Sequence, residues 1–268
     1  MTLPLFIIDA FTDRPMTGNP AAVCPLQEWL PVETMQSIAA EMNLSETVFF
    51  VPRRGGQQSE TARDFDVRWF TPTREVDMIG HATLAAGHLV LERLHPTAEI
   101  ARFASPTAEL SVRRDARLLQ MSMPALVPQQ IAEPAGLAAA LGAKPAAVFA
   151  AKHYLAVFDS VDVVAGLRPD FAAVADLPLP AVIVTAKGEG EFDFVSRFFA
   201  PANGVPEDAV SGVAHCCLAP YWAEKLGRSE MKGRQLSSRG GVVLCQYNGK
   251  NVLLGGTATI FLEGTIRL

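Results

Sequence analysis

Charge is scarce in this chain: Asp, Glu, Lys and Arg make up only 19% of its 268 residues. Even so, no run of about 18 or more uncharged apolar residues occurs to span a bilayer as a helix, and no membrane partner is expected. The start, Met1 to Ile8, is apolar but has no basic residue and meets Asp9 too soon for a secretion signal. Cysteine is sparse too: Cys24, Cys216, Cys217 and Cys245, two of them adjacent. That is no disulfide framework, and reduced thiols in a cytoplasmic protein are the expectation. An excess of basic charge is absent, since 23 Lys and Arg face 28 Asp and Glu for a net charge of −5. The densest basic pairs are Arg53-Arg54 and Arg113-Arg114, too little for a nucleic-acid surface.

Several chemical signatures are missing as well. The chain has no phosphate-binding GxxxxGK[ST] loop, no dinucleotide GxGxxG and no GxSxG nucleophile turn. His215-Cys216-Cys217 is the one dense group of soft metal ligands. Adjacent residues at the start of a helix fan their side chains around it, a poor cage for one ion. The expectation is therefore no cofactor and no metal, with a small molecule as partner.

What is present is a repeat. Gly80-His81-Ala82 opens an apolar stretch that ends Glu92-Arg93-Leu94. Gly212-Val213-Ala214 opens another, ending Glu224-Lys225-Leu226, with a constant offset of 132 residues. The same offset relates Ser105 to Ser237 and Leu110-Ser111-Val112 to Val242-Val243-Leu244. Phe70-Thr71-Pro72 is echoed, off that register, by Phe199-Ala200-Pro201. The stretches Ala82 to Leu94 and Ala214 to Leu226 are apolar nearly all round, and a helix without a wet face belongs inside something. Gly227 is placed to cap the second, whereas Pro220 should kink or shorten it.

Around them the pattern predicts strands near 5–11, 21–24, 48–51, 65–70, 110–112, 118–121, 154–158, 181–185, 192–199, 252–254 and 259–262. It predicts helices over 31–42, capped by Asn43, and over 136–141. A polar loop over 53–63 reads as a hairpin connection. The architecture expected is α+β: two pseudo-symmetric lobes, each a curved, mostly antiparallel sheet wrapped around a buried central helix. The Pro-rich run from Pro124 to Pro134 divides lobe 1–124 from lobe 125–268, the last strand packing back on the first lobe.

If the two copies face each other, the polar residues at their starts converge. The first turn of a helix presents unpaired N–H groups and partial positive charge, so Gly80-His81 and Ser211-Gly212 are candidate carboxylate binders. The plain alternative is that these glycines only allow tight packing. Glu46 lies in Ser45-Glu46-Thr47 beside Val48-Phe49-Phe50, where desolvation should raise its pKa and suit it to proton transfer near neutral pH. Equally, it is a solvated turn residue. Asp208 either caps the second helix or acts as a second proton-handling group. His81 titrates near neutral pH and can donate to a carboxylate, or is a satisfied core residue. His88 and His215 read as packing residues.

Eight segments occur in a specific order: Asp9-Ala10-Phe11-Thr12, Gly18-Asn19-Pro20-Ala21-Ala22-Val23, Met42-Asn43-Leu44-Ser45-Glu46-Thr47, Phe70-Thr71-Pro72, Glu75-Val76-Asp77, Gly80-His81-Ala82-Thr83-Leu84-Ala85, Glu207-Asp208 and Gln235-Leu236-Ser237-Ser238-Arg239-Gly240-Gly241. Over nearly its whole length the chain resembles the PhzF-like phenazine-biosynthesis isomerase family. The resemblance implies a diaminopimelate-epimerase-like fold, commonly in a homodimer. It implies a cofactor-independent isomerase in which Glu46 takes a proton from one carbon of a dihydro-hydroxyanthranilate and returns it to another, with His81 and Asp208 assisting. Substrate binding then falls to Asn19, Ser45, Gly80, Ala82, Ser211, Gly212 and Val213. The epimerase relatives start each central helix with a cysteine acid/base; Gly80 and Ser211 stand at those positions here, which disfavours a two-thiol racemase. The family's Glu-Asp-Pro-x-Thr-Gly-Ser-Ala reads Glu207-Asp208-Ala209-Val210-Ser211-Gly212-Val213-Ala214, so Val213 replaces a substrate-contacting serine. A lost hydroxyl costs about 0.5–1.5 kcal/mol if its partner can pair elsewhere. That departure keeps a second expectation open: a non-catalytic small-molecule binding or interaction protein on the same scaffold.

Overall fold

The computed structural model describes every residue from Met1 to Leu268. In chain order the first part runs β1 (Thr2–Ala10), β2 (Asn19–Pro25), α1 (Val32–Met42), β3 (Glu46–Pro52), β4 (Ala62–Phe70), β5 (Glu75–Val76), α2 (Gly80–Leu89), β6 (Ile100–Ala104), β7 (Glu109–Asp115) and β8 (Leu118–Pro124). It continues β9 (Gln129–Ile131), α3 (Leu137–Leu141), β10 (Ala147–Ala150), β11 (Tyr154–Val157), α4 (Val161–Gly166), α5 (Phe171–Ala175), β12 (Val182–Lys187) and β13 (Phe194–Phe199). Then come α6 (Gly212–Leu226), β14 (Glu230–Gln235), β15 (Gly241–Tyr247), β16 (Asn251–Gly256) and β17 (Ala258–Arg267). These form two compact units: Met1–Ser122 with Gly255–Leu268, and Met123–Leu254.

The repeat seen in the sequence is also a repeat of strand pairing. In the first unit β17–β1 and β1–β2 are antiparallel, β2–β3 parallel, β3–β4 antiparallel, β4–β6 parallel and β6–β7 antiparallel. In the second unit β9–β10, β10–β11, β11–β12, β12–β13, β13–β14 and β14–β15 follow the same series of directions. Each parallel pair is joined through helix, because a parallel partner needs a crossover. The sheets are thus mostly antiparallel, with two parallel steps apiece that the alternating pattern alone did not disclose.

The central helix of the first unit, α2, has its residues from His81 to Gly87 and Leu89 buried, and it touches β1, β2, β3, β6, β7 and β17. The apolar stretch continues past Leu89 as a π-helical turn, Val90–Leu94. Gly87 is required by packing: a Cβ there would lie 2.5 Å from the Cβ of Val112 on β7. Gly87→Ala therefore loses about 1–3 kcal/mol by overpacking, despite alanine's better helix propensity, and Val112→Ala in the same chain restores part of it. Urea unfolding of the single and double variants measures this.

In the second unit α6 runs unbroken for 15 residues through Pro220 and closes at Gly227, whose φ is +66°. The expected shortening does not occur. Pro220 has no N–H for the Cys216 carbonyl, and the Leu126 N–H bonds that carbonyl instead, at 2.9 Å. The two central helices are each tied by an indole. Trp69 on β4 donates to Thr83 of α2, and Trp222 of α6 donates to Thr185 on β12, both at 3.0 Å. The outer helix α1 packs Met35, Ile38 and Ala39 against Ala22, Phe49, Val51 and Phe70, and Asn43 ends it in the left-handed region.

Candidate active site

Each candidate residue is placed by an element boundary. Glu46 is the first residue of β3, released from α1 by the turn at Asn43 and paired in register with Ala21 on β2. Asn19, two residues before Ala21, starts β2 and is 1% exposed. His81 is the second residue of α2. Its Nε2 lies 3.0 Å from Oε2 of Glu46, and both residues are buried. That separation is ion-pair distance when His81 is protonated, without the alignment of a hydrogen bond. Ser45 and Gly80 flank the pair half-buried, and Ala82 is fully buried.

The electrostatics differ from the sequence expectation. Desolvation does push the Glu46 carboxyl upward, as the neighbouring aromatics imply. The attraction of His81, together with side-chain contacts from His81 and Ser45, outweighs it and leaves the pKa below the ordinary value. Glu46 is therefore a buried carboxylate held ionised. Strand order also identifies its counterpart in the repeat. Thr47 pairs with Ala22 and Phe70, while Val182 pairs with Tyr154 and Phe199. Glu46 thus corresponds to Ala181, which carries no proton-transfer group.

In the second unit Asp208, Ser211, Gly212 and Val213 gather at the start of α6. Ser211 is the N-cap, its hydroxyl accepting from the Ala214 N–H at 3.3 Å. Ile79 holds the matching N-cap of α2, so the equivalent pair is Ile79 and Ser211, with Gly80 matching Gly212. This corrects the pairing of Gly80 with Ser211; the constant offset in the sequence already required it. Asp208 is half-buried, with its N–H bonded to the Phe198 carbonyl at 3.0 Å. Val213, also half-buried, sits in the first turn of α6.

Sequence reasoning gave no role to two residues that hold this segment. Arg197 on β13 grips Glu207 with two hydrogen bonds, 2.8 and 2.9 Å, and also donates to the carbonyls of Val164 and Leu167. Gln235, at the end of β14, donates to the Asp208 carbonyl and accepts from the Ser211 N–H. The signal for Arg197 was a lone charge inside Phe194-Val195-Ser196-Arg197-Phe198-Phe199, where only a buried partner makes it affordable.

Burial pushes the thiols of Cys24, Cys216 and Cys217 up to about 12 and raises Cys245 further, so none supplies a thiolate near neutral pH. No cluster of three or more His, Cys, Asp or Glu side chains is arranged to hold a metal ion. No helix is long and apolar enough to cross a membrane. His215 is wholly buried, bonded through Nδ1 to the Ser211 carbonyl at 2.7 Å, and burial lowers its pKa to about 4. A lowered histidine binds its proton more readily in the unfolded chain, so it erodes stability as pH falls from 6.5 toward 4. His215→Leu flattens the pH dependence of unfolding free energy in that window by at most about 1.4 kcal/mol per pH unit. Denaturant titrations at several pH values read that slope directly.

A family model described as phenazine biosynthesis-like protein (PhzC-PhzF) matches residues 8–264. The chain belongs to this family. An uncharacterized isomerase of Pseudomonas aeruginosa is 46% identical over 268 residues, covering all of both chains. A crystal structure of a PhzF-family phenazine biosynthesis protein from Enterococcus faecalis superposes with a TM-score of 0.93 at 38% identity, again covering all of both chains. A hydroxyproline epimerase from Agrobacterium vitis matches at a TM-score of 0.59 and 10% identity, over 99% of this chain and 91% of that one. At that identity the likeness speaks for the fold alone. The fold of the family, two pseudo-symmetric halves of diaminopimelate-epimerase type, is the fold of this chain.

Proposed function

We propose that this family member is a cofactor-independent isomerase that moves a proton on a small cyclic carboxylate or amino-acid-like substrate. Glu46 is its general acid/base. The observation that carries the proposal is the buried Glu46 carboxyl with its Oε2 3.0 Å from Nε2 of His81; its lowered pKa agrees with a carboxylate. A base must start deprotonated, and one stripped of water has no solvation shell to shed before it takes a proton. Glu46 accepts a proton from a ring carbon while the C–H electron pair moves into the ring as the double bond shifts. The resulting carboxylic acid returns the proton to a second carbon, so no electron is gained or lost overall. His81 orients the carboxylate. The N–H groups of Gly80, His81 and Ala82 at the start of α2 suit the acidic end of a ligand. Asp208 is the second proton-handling or orienting group, with Ser211, Gly212 and Val213 as binding positions and Asn19 and Ser45 beside Glu46.

A two-thiol racemase is disfavoured because the N-caps are Ile79 and Ser211 and all four cysteines are buried. Val213 favours a second reading, a binding protein without turnover on the same scaffold. Solvent-deuterium incorporation separates them, with dihydro-hydroxyanthranilate and trans-4-hydroxy-L-proline as probes. The isomerase labels substrate and loses labelling in Glu46→Gln, whereas the binding protein shows affinity with no labelling in any form. The family likeness is also the ground for proposing a homodimer, which light scattering on the purified chain checks.

A further inference from the structure

We propose that Gln235 is a positioning residue. Its side-chain amide fixes the backbone of Asp208–Ser211 and so sets where Asp208 meets substrate; the role rests on the reading of Asp208 given above. Gln235 is 0% exposed at the end of β14. Its Nε2 donates to the Asp208 carbonyl at 2.7 Å, and its Oε1 accepts from the Ser211 N–H at 2.9 Å. One amide thus holds both ends of a four-residue segment, using its donor and its acceptor. Ser237 adds a third tie, its hydroxyl donating to the Ala209 carbonyl at 2.7 Å. From the other side Arg197 grips Glu207, and the Phe198 carbonyl takes the Asp208 N–H.

Strand register identifies the matching position of the first unit as Ser105: Ala104 pairs with Asp66 as Arg234 pairs with Val195, and the next residues are Ser105 and Gln235. Ser105 is half-buried and serves its own turn, its hydroxyl accepting from the Ala108 N–H at 3.0 Å. Gln235 is wholly buried and bonds another segment instead, the one that carries Asp208.

Three substitutions test the assignment. Gln235→Leu removes both bonds, and the Ser211 amide should exchange with solvent at least 100-fold faster, with β12 amides unchanged. Gln235→Glu keeps the acceptor, but at pH 8 it sets a carboxylate against the Asp208 carbonyl, so protection should fall as in Gln235→Leu. At pH 5 the introduced carboxyl, once protonated, can donate, and protection factors should recover; a merely space-filling role gives no such pH rescue. With dihydro-hydroxyanthranilate as probe, kcat should drop 10- to 100-fold in Gln235→Leu with KM changed less than threefold, and recover with the same pH profile in Gln235→Glu. Unchanged Ser211 protection in Gln235→Leu, or lost protection with wild-type kcat, overturns the assignment. Asp208→Asn, assayed alongside, keeps the two claims apart. Wild-type turnover in that variant removes Asp208 from the reaction, and the positioning role falls with it, even if the exchange data show the tether intact.

Discussion

Arg197→Met loses about 3 kcal/mol of unfolding free energy, the low end of what breaking a buried ion pair costs. Arg197 is 9% exposed, and its guanidinium satisfies both carboxylate oxygens of Glu207 and two backbone carbonyls while lying 4.9 Å from the ring centroid of Phe199. Methionine fills much of the volume but leaves a carboxylate and the carbonyls of Val164 and Leu167 without their donor. Glu207 keeps some solvent access, its side chain 20% exposed, which is why the low end applies. Removing the charge as well, in Arg197→Met with Glu207→Gln, recovers part of the loss but not the carbonyl contacts. Equilibrium urea unfolding of the cycle measures the coupling. A single-variant loss below about 1 kcal/mol would show that Glu207 rehydrates freely and that the pair does not hold the Asp208 segment.

What was legible in the sequence follows from what repeats locally. The offset between Gly80 and Gly212, the all-round apolar stretches behind them and the Gly227 cap locate both central helices. Parallel pairing was not legible from alternation, because β2 and β3 are buried almost throughout and alternate on neither face; the crossover through α1 decides their direction. Helices α4 and α5 leave no periodic trace in the sequence, because they are six and five residues long. Their signals were caps alone, Ser160 accepting from Val163 and Asp170 accepting from Ala172 and Ala173.

The site divides in the same way. Glu46, His81, Asp208 and Ser211 stand out as candidates because they lie in ordered motifs. The sign of the Glu46 pKa shift could not, because it depends on a histidine distant in sequence reaching a carboxylate across the fold, and local sequence reports only the desolvating aromatics. Pro220 shows the converse: a residue that breaks a helix on local rules is accommodated because Leu126, far away in sequence, bonds the carbonyl it orphans.

Glu46→Gln is expected to abolish proton transfer, a loss of about 10³-fold or more, while the chain stays folded. Glutamine matches glutamate in shape and can still face His81, so packing around β3 and α2 survives. It cannot accept a carbon-bound proton. The same variant carries an acid signature. A carboxyl with a lowered pKa stabilises the fold above the ordinary value of 4.5 and loses that contribution as pH falls through its folded pKa. The stability difference between wild type and Glu46→Gln should therefore shrink below pH 4.5.

The most direct measurement is mass-spectrometric deuterium incorporation from D₂O into dihydro-hydroxyanthranilate, with purified wild type and Glu46→Gln side by side. The expected result is labelled isomer from the wild type and none above background from Glu46→Gln. Equal labelling by the two proteins would contradict the assignment of Glu46 as the proton carrier.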